Sequence, residues 1–459
     1  SRSRSRGGGK GGGKDKGMRV CVDYINKKCS RGDQCSFLHD KEECRRLRDM
    51  FASKPCKLGA RCSRPNCLFA HPGDENRRRG RSSSSGSSRS EVRIPMMKAV
   101  GWKSHGDIDV LEDLRLPKPV VDRKSKDMLV RLHGTDMNPL KLKKSNGSTE
   151  TSIVLPGLGG DQAASYSFAG VIEEMGQDAA VSGKFQVGDD VWFANDFDPT
   201  SSSIQEYCLV DHRVAALKPK ALSFADAAAI PLAGVTAWGG LIERMNMDIH
   251  LFGGGIRLPR FTPEKKAVFL ALPGAGAAGS FALQMASRYL NKNNNLTVIA
   301  SASRSESVDW CKKMGADHVI NHEAFDFKDE LDKIGVRGLD YVFYGSSPLQ
   351  HEDKLYAVMN PFGQIASYSE GNFEKMDARI PKRIAFHRER VGFKNLFEDD
   401  GKVLTTISRL FDDPKVGFES VVTQRFSDLS SEAVRQAQIW HSVRSIDGDA
   451  MGKAVFEIK

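Results

Sequence analysis

The apolar and polar residues of the chain form their clearest pattern between positions 267 and 286. A run of six apolar residues, AVFLAL at 267–272, predicts a strand. Six small residues follow, GAGAAG at 274–279, and their glycines predict a turn. Residues 280–286 then place apolar side chains at spacings typical of a helix. The pattern therefore predicts a strand, a glycine-rich turn and a helix in succession.

Three glycines in that turn have the spacing G-x-G-x-x-G of a dinucleotide-binding site, and they are Gly274, Gly276 and Gly279. The first glycine makes the tight turn, the second lets the backbone approach a pyrophosphate, and the third lets helix and strand pack closely. A pyrophosphate would then lie at a helix N-terminus, where free N–H groups and the helix dipole favour an anion. We therefore expect these glycines to bind a dinucleotide cofactor.

The next predicted strand, LTVIA at 296–300, is followed by Ser301-Ala302-Ser303-Arg304. An NAD site usually has Asp or Glu here, about 20 residues past the glycine turn, to bind the ribose 2′-OH. The first acid is Glu306, and Ser303 and Arg304 stand in its place with groups that suit a 2′-phosphate. We therefore expect NADPH rather than NADH. The alternative is that Arg304 is a solvated surface residue.

Patterns on both sides of this unit predict an α/β protein with a β-rich part in front. Further short strands are predicted at 128–132, 167–172, 187–192, 204–210, 340–344, 364–367 and 453–458. Alanine-rich residues 223–236 predict a helix with Pro231 inside it. The strands after the glycine turn have the spacing of βαβ units, so a parallel sheet is expected there.

Length and charge divide the chain into unlike parts. Its 459 residues are too many for one ordinary core, so two or three domains are expected. Residues 1–90 hold 23 Lys and Arg against 9 Asp and Glu, a net charge of +14, whereas the remaining residues carry −4. A polyanionic partner is therefore expected at the front. No apolar run approaches the ~18 residues of a membrane span, and no signal peptide is visible. Because the sequence starts at Ser1 rather than Met, its natural start is expected upstream.

Seven of the nine cysteines lie between positions 21 and 67; six of them form two sets that each end in a histidine, and Cys44 lies outside both sets. The spacings are C-x7-C-x5-C-x3-H and C-x5-C-x4-C-x3-H. Three thiolates and one imidazole make a closed tetrahedral zinc site, so two structural zinc ions are predicted. Zinc binding would drive the folding of each set, because each has too little apolar sequence for a core. The predicted ligands are Cys21, Cys29, Cys35 and His39 in the first set, and Cys56, Cys62, Cys67 and His71 in the second.

Both sets resemble CCCH zinc fingers, a family of RNA-binding modules, and the second set is most similar to the fingers of nuclear poly(A)-binding proteins. In such fingers, bases of single-stranded RNA stack on an aromatic residue just before the histidine. Phe37 and Phe69 hold that place, and Tyr24 is a further candidate. The alternatives are packing of these rings in a small finger core, and fingers that bind protein. Only Cys208 and Cys311 lie elsewhere, which indicates a reducing compartment, the cytoplasm or the nucleus.

Residues 96–459 resemble the medium-chain dehydrogenase/reductase family, and most of all its zinc-free quinone oxidoreductase branch with the bacterial zinc-type alcohol dehydrogenase-like proteins. The resemblance is carried by the glycine turn together with MKAVG at 97–101, FAGV at 168–171, VGD at 187–189 and WCKKMGADHVIN at 310–321. It implies a GroES-like β-domain, a Rossmann domain with a doubly wound parallel sheet, an active site in the cleft between them, and a homodimer formed through the reductase domain.

The alcohol dehydrogenase branch of that family binds zinc through a cysteine in the loop before Asn138 and a Gly-His-Glu near Gly170. This chain has GTDM at 134–137 and SYS at 165–167 instead, so no zinc is expected in the large domain. Without a Lewis acid, hydride must go to an electrophile that is already activated, such as a quinone or enone. The resemblance also places Asn138 at the hydride site and Thr236 near the nicotinamide phosphate, while no general acid is evident.

The expected domains are a disordered basic tail at 1–17, tandem fingers at 18–73, a Ser/Arg-rich linker at 74–95, a GroES-like catalytic domain at 96–235 and 400–459, and a Rossmann NADPH-binding domain at 236–399. The leading interpretation is an NADPH-dependent quinone or enone reductase fused to a module that binds single-stranded RNA. The alternative is an RNA-binding regulator whose dehydrogenase-like domain is a scaffold or redox sensor with little turnover.

Overall fold

The computed structural model describes residues 95–101, 111–137, 167–194, 204–252, 266–324, 326–345, 351–368, 380–381, 383–388, 400–446 and 451–459. The chain divides into two compact units, Ser1–Val92 and Arg93–Lys459, and the described residues all belong to the second. The predicted zinc ligands, the RNA-stacking aromatics and Asn138 lie outside the described residues. No helix within the described ranges has the length and apolar character needed to cross a lipid bilayer.

The described part of the second unit alternates between strands and helices. Its strands are β1 (Met96–Gly101), β2 (Glu112–Pro117), β3 (Asp127–Asp136), β4 (Ser167–Met175), β5 (Asp190–Ala194), β6 (Ile204–Gln205), β7 (Tyr207–Asp211), β8 (Ala215–Leu217), β9 (Ala267–Leu272), β10 (Leu296–Ser301), β11 (His318–Ile320), β12 (Leu339–Tyr344), β13 (Met359–Ser367), β14 (Ala385–Arg388), β15 (Val422–Phe426) and β16 (Lys453–Glu457). Its helices are α1 (Gln177–Val181), α2 (Phe224–Ala228), α3 (Pro231–Trp238), α4 (Met247–Phe252), α5 (Ala277–Gln284), α6 (Ser305–Lys313), α7 (Phe327–Lys333), α8 (Glu352–Val358), α9 (Asp400–Asp412) and α10 (Ser431–Ile446). Helices α3 and α5 continue in π-helical turns to Arg244 and Leu290.

Six strands form a parallel sheet in the order β11-β10-β9-β12-β13-β14. Numbered within the sheet, this is the order 3-2-1-4-5-6 of a doubly wound dinucleotide-binding fold. Strand β9 lies at its centre, and its apolar run is buried on both faces. Phe269 and Ala271 pack into the cluster that includes α3 and α5, whereas Leu270 and Leu272 pack into the cluster that includes α7 and α8. The sequence therefore shows an unbroken apolar run rather than an alternating one.

The remaining strands form two sheets. One has the order β15-β16-β3-β4-β5-β8, with β7 also paired to β3, and the other has the order β2-β1-β6. Helix α2 packs directly on β3, because a Cβ on Gly134 would lie 2.5 Å from the Phe224 carbonyl oxygen. The α/β class, with a β-rich part beside a parallel doubly wound sheet, is confirmed.

Two predicted elements are each divided in the structure. Residues 223–236 were expected to form one helix, but α2 ends at Ala228 and Pro231 begins α3. Proline lacks an N–H donor and suits the first turn of a helix, so it starts a new helix here. Residues 204–210 were expected to form one strand, but β6 pairs with β1 and β7 pairs with β3. Glu206 lies between them; its N–H donates to Lys98 and its carbonyl accepts from Leu132.

Candidate cofactor and active site

Four neighbouring strands of the parallel sheet end at one edge, which we call the carboxyl rim. The rim residues follow the last residue of their strands and are Pro273 after β9, Ala302 after β10, Gly345 after β12 and Tyr368 after β13. The backbone ladder continues across the rim, because the Gly345 N–H donates to the Leu272 carbonyl at 2.7 Å and the Tyr368 N–H to the Tyr344 carbonyl at 2.9 Å. Ligands of doubly wound sheets bind outside this edge where the strand order reverses, here between β9 and β12.

The three glycines of the turn between β9 and α5 differ in their surroundings. A Cβ on Gly274 would lie 2.7 Å from the Cβ of Ala300, and one on Gly279 would lie 2.2 Å from the Pro273 carbonyl oxygen. A Cβ on Gly276 would meet nothing within 4 Å. Packing therefore excludes a side chain at the first and third positions, while the second leaves open space above the backbone for a ligand.

Helix α5 begins at this open glycine. Gly276 is the N-cap residue, its backbone is extended (φ −66°, ψ 164°), and no side chain caps the helix. The first turn has no acidic residue. The leading N–H groups of a helix have no partner within the helix, and its dipole adds partial positive charge there. The N-terminus of α5 can therefore accept an anion such as a pyrophosphate.

Ser280 and Trp310 hold the turn in place. The Ser280 hydroxyl donates to the Ala275 carbonyl at 3.0 Å and accepts a hydrogen bond from the indole Nε1 of Trp310 at 2.8 Å. Ser280 is fully buried, and Trp310 lies on α6. The contact joins the helix after β9 to the helix after β10. Sequence reasoning did not identify this pair, since neither residue belongs to the glycine motif.

Ser303 and Arg304 lie just beyond the end of β10, beside the glycine turn. The Gly274 N–H donates to the Ser301 carbonyl at 3.0 Å, so the turn and the end of β10 are in direct contact. Both Ser303 and Arg304 are partly exposed, and Arg304 has an extended backbone as the N-cap residue of α6. The structure thus brings the two predicted phosphate-binding segments to the same part of the rim.

Thr236 lies in α3 and is 5 % exposed. Its hydroxyl donates to the carbonyl of Leu232 at 2.7 Å, within the same helix. The start of α3 is held by Ser167, whose hydroxyl accepts the Leu232 N–H at 3.0 Å. The Thr236 hydroxyl can therefore donate to a phosphate oxygen only if it first breaks its hydrogen bond with the Leu232 carbonyl.

The β-rich part touches the glycine turn through the residues that begin β16. The Gly452 N–H donates to the Ala275 carbonyl at 2.8 Å, and Gly452 forms an isolated parallel bridge with Gly276. Gly452 has a left-handed backbone (φ +54°), and a Cβ there would lie 2.3 Å from the Val421 carbonyl oxygen. The next residue, Lys453, makes a buried ion pair with Asp136 at the end of β3.

Thiols and carboxylates in the described part of the chain form no metal centre. Within those residues, His, Cys, Asp and Glu side chains do not come together in any group of three that could hold a metal ion. Cys208 and Cys311 are both buried, and burial raises the pKa of the Cys311 thiol to about 12. That thiol is therefore neutral at ordinary pH and is not a nucleophile.

A parallel sheet in the order 3-2-1-4-5-6, with an open glycine turn after its first strand and a β-rich part at its carboxyl rim, defines the fold of the medium-chain dehydrogenases and reductases. Residues 277–393 match the family described as zinc-binding dehydrogenase, and residues 21–39 and 55–72 match the RNA-binding, Nab2-type zinc finger. The chain thus carries Nab2-type CCCH zinc fingers followed by a medium-chain dehydrogenase/reductase domain, as the sequence predicted.

Several known proteins and solved structures are similar to this domain. A zinc-type alcohol dehydrogenase-like protein of Staphylococcus aureus (strain COL) is 27 % identical over 353 residues, which are 74 % of this chain and 95 % of that protein. The chloroplastic NADPH-dependent alkenal/one oxidoreductase of Arabidopsis thaliana is 29 % identical over 246 residues, 52 % of this chain and 56 % of that protein. The crystal structure of a putative zinc-dependent alcohol dehydrogenase from Rhizobium etli CFN 42 has a TM-score of 0.66 at 28 % identity, and covers 80 % of this chain and 99 % of its own.

Proposed function

We propose that residues 96–459 form an NADPH-dependent reductase of quinones or α,β-unsaturated carbonyls that works without zinc, and that residues 18–73 bind single-stranded RNA. The observation that carries the reductase proposal is the contact between the Gly274 N–H and the Ser301 carbonyl. This contact brings the uncapped N-terminus of α5 close to Ser303 and Arg304. One ligand that carries a pyrophosphate and a 2′-phosphate could therefore bind to the helix N-terminus and to these two residues.

The residues at the rim fit a nicotinamide dinucleotide. The backbone at Gly276 and the N–H groups of α5 would hold the pyrophosphate, while the Arg304 guanidinium and the Ser303 hydroxyl would hold a 2′-phosphate. No carboxylate stands between Ser301 and Ser305 to repel that phosphate or to bind a free 2′-OH. When bound, the nicotinamide supplies a hydride. Thr236 and Asn138 remain the predicted contacts on the nicotinamide side.

The proposed substrate class follows from the zinc-binding residues of the alcohol dehydrogenase branch, which are absent from the sequence of this chain. Its sequence at 134–137 and 165–167 has neither the cysteine nor the Gly-His-Glu that the zinc-binding branch uses. An unpolarised ketone or alcohol needs a Lewis acid or a strong acid, whereas a quinone or enone accepts hydride at an already electron-poor carbon. The name of the Arabidopsis relative mentions NADPH and alkenals or alkenones, which supports the proposed cofactor and the proposed substrate class.

The proposal for RNA binding rests on the two zinc-finger matches, which begin at Cys21 and at residue 55. Each finger would hold one zinc through three cysteines and a histidine, and Phe37, Phe69 and Tyr24 would stack on bases. The charge of +14 on residues 1–90 would attract the phosphates. Phe37→Ala and Phe69→Ala should each weaken single-stranded RNA binding by about 1–3 kcal/mol, with zinc content unchanged.

The direct test of the reductase is NADPH oxidation by the purified full-length chain, with a quinone, an alkenone and a saturated ketone as separate substrates. Turnover of the first two, and none of the ketone, is the expected result. Tight NADPH binding without turnover of any substrate would contradict the enzyme and favour the RNA-binding regulator with a dehydrogenase-like scaffold. Addition of single-stranded RNA to the same assay shows whether the two activities depend on each other.

A further inference from the structure

We propose that the aromatic ring of Tyr368 forms the wall against which the nicotinamide ring packs, so that Tyr368 is a binding residue at the hydride end of the site. This inference rests on the proposed function, because it requires a nicotinamide dinucleotide at the carboxyl rim. The feature that carries it is the position of Tyr368 beside Gly345, at the rim of two adjacent strands.

The order of the strands decides which half of the cofactor reaches Tyr368. The phosphate-binding turn follows β9, and Ser303 and Arg304 follow β10 on one side of it. Strands β12 and β13 lie on the other side of β9. A dinucleotide that lies across the rim with its adenosine half at β10 must therefore extend its other half over the ends of β12 and β13. The rim residues there are Gly345 and Tyr368.

The Tyr368 ring is held over the end of β12. It stacks on the fully buried ring of Phe343 with centroids 4.4 Å apart and planes inclined by 24°. A Cβ built on Gly345 would lie 2.0 Å from the Tyr368 Cζ atom, so the ring covers this backbone and leaves no room for a side chain. Because its backbone N–H is also bonded to Tyr344, the tyrosine has a fixed place at the rim rather than a free one.

The same ring is connected to the helix that carries Thr236. Phe343 packs against Gly240, where a Cβ would lie 2.6 Å from the Phe343 Cε2 atom. Gly240 stands one helical turn beyond Thr236, the predicted contact of the nicotinamide phosphate. Tyr368 is partly exposed as a whole residue, whereas Phe343 beneath it is fully buried.

A neutral aromatic wall suits the flat nicotinamide ring. Burial raises the pKa of the Tyr368 phenol, so the group carries no charge in the working range of the enzyme. Offset stacking of aromatic rings and the burial of their surface both contribute favourable binding free energy, and both contributions come from the ring and not from the hydroxyl. A phenylalanine at position 368 should therefore replace the tyrosine, while an aliphatic residue should not.

The test compares Tyr368→Leu with Tyr368→Phe in the full-length chain, using two ligands. NADPH contains the nicotinamide ring, and 2′-phospho-ADP-ribose is the same molecule without it. Tyr368→Leu should weaken NADPH binding about tenfold and leave the affinity for 2′-phospho-ADP-ribose unchanged. Tyr368→Phe should bind both ligands as the unaltered chain does. Titrations followed by nicotinamide fluorescence and calorimetry measure these affinities, and thermal unfolding of each variant checks its fold.

Three results would overturn the inference. Equal weakening of both ligands by Tyr368→Leu would show a general structural role, and no weakening would show that the ring is not in contact. Equal loss of NADPH affinity in Tyr368→Phe and Tyr368→Leu would assign the role to the hydroxyl. If the unaltered chain bound neither ligand, the proposed cofactor itself would be wrong, and that result is distinct from the other three.

Discussion

The ammonium nitrogen of Lys453 lies 2.8 Å from the carboxylate of Asp136, with the aspartate side chain fully buried and the lysine side chain 8 % exposed. The pair joins the start of β16 to the end of β3, and it adjoins Gly452, which is bonded to the glycine turn. A buried ion pair adds little net stability, but the loss of one partner leaves an uncompensated charge in the interior. The pair therefore holds two ends of the β-rich part in register beside the glycine turn.

Lys453→Met should lower the free energy of unfolding by about 3–5 kcal/mol, because it removes the ammonium group that pairs with the buried Asp136 carboxylate. The double variant Asp136→Asn with Lys453→Met should recover most of that loss. Urea unfolding of both variants checks this, with Lys328→Met as a control that breaks the exposed pair with Asp332. A cost for Lys453→Met no larger than the control's would contradict the prediction.

Gly276→Ala and Gly279→Ala should have different effects: the first should mainly impair NADPH binding, and the second should mainly lower the stability of the fold. At Gly276 a methyl group meets no protein atom, so the free energy of unfolding should fall by no more than about 1 kcal/mol while NADPH binding is lost. At Gly279 a methyl group meets the Pro273 carbonyl at 2.2 Å, so stability should fall by about 1–3 kcal/mol or more. The two measurements are urea unfolding and NADPH titration. Normal NADPH affinity in Gly276→Ala would contradict the placement of the pyrophosphate.

Arg304→Ala should remove most of the preference for NADPH over NADH. A charge-assisted contact to a phosphate is worth roughly 1.5–3 kcal/mol, or about one to two powers of ten in affinity. Arg337→Ala is the matched control, since Arg337 is exposed before β12, at the opposite end of the sheet. Equal affinities for both cofactors in the unaltered chain would show that the adenosine site has been misassigned.

Asp226 should make stability depend on pH. Burial raises the pKa of this carboxyl, but hydrogen bonds from Ser223 and Ser420 and the Arg425 guanidinium at 2.6 Å outweigh burial and hold the pKa below its ordinary value of 3.8. A depressed pKa stabilises the fold at pH values above 3.8, and this stabilisation disappears as the pH falls through the folded-state pKa.

Asp226→Asn should therefore destabilise the chain at neutral pH, and the difference from the unaltered chain should shrink as the pH falls below 3.8. Urea unfolding measured from neutral pH downwards shows this trend. Asp332→Asn, in an exposed pair, should show a much smaller difference throughout. A difference for Asp226→Asn that grew on acidification would reverse the sign of the argument.

Metal analysis should find two zinc ions per full-length chain, one for each cysteine–histidine set. Cys67→Ser should lose one of them, because it removes a thiolate from the second set, and it should leave NADPH affinity unchanged. A third zinc that persists when both Cys21 and Cys56 are replaced by serine would show that the dehydrogenase/reductase domain binds metal.

Local patterns predicted much of the fold and identified the candidate phosphate-binding residues. The apolar run of β9, the glycine turn and the apolar positions of α5 are adjacent in sequence, and they form one structural unit. Ser303 and Arg304 became candidates for the same reason, since they follow the next strand directly. Such signals need only one stretch of chain and its period of hydrophobic positions.

Contacts between distant stretches could not be predicted in this way. Nothing in the residues around Asp136 indicates that Lys453 will neutralise it, and nothing around Gly452 indicates that it meets Ala275. The division of the predicted strand at Glu206 has the same origin, because β6 and β7 pair with different sheets. Pairing of strands depends on topology, which one sequence without relatives does not reveal.

The hydrogen bond between Gly452 and Ala275 also bears on how the chain folds as it is made. Synthesis releases β3, the glycine turn and the parallel sheet long before the residues that begin β16. Until then Asp136 lacks its lysine and the glycine turn lacks its backbone partner, so the dehydrogenase/reductase domain on the ribosome is necessarily incomplete. The domain therefore completes its folding late, through long-range contacts that depend on β16. A premature stop codon ahead of β16 would leave an aggregation-prone product with an intact zinc-finger sequence.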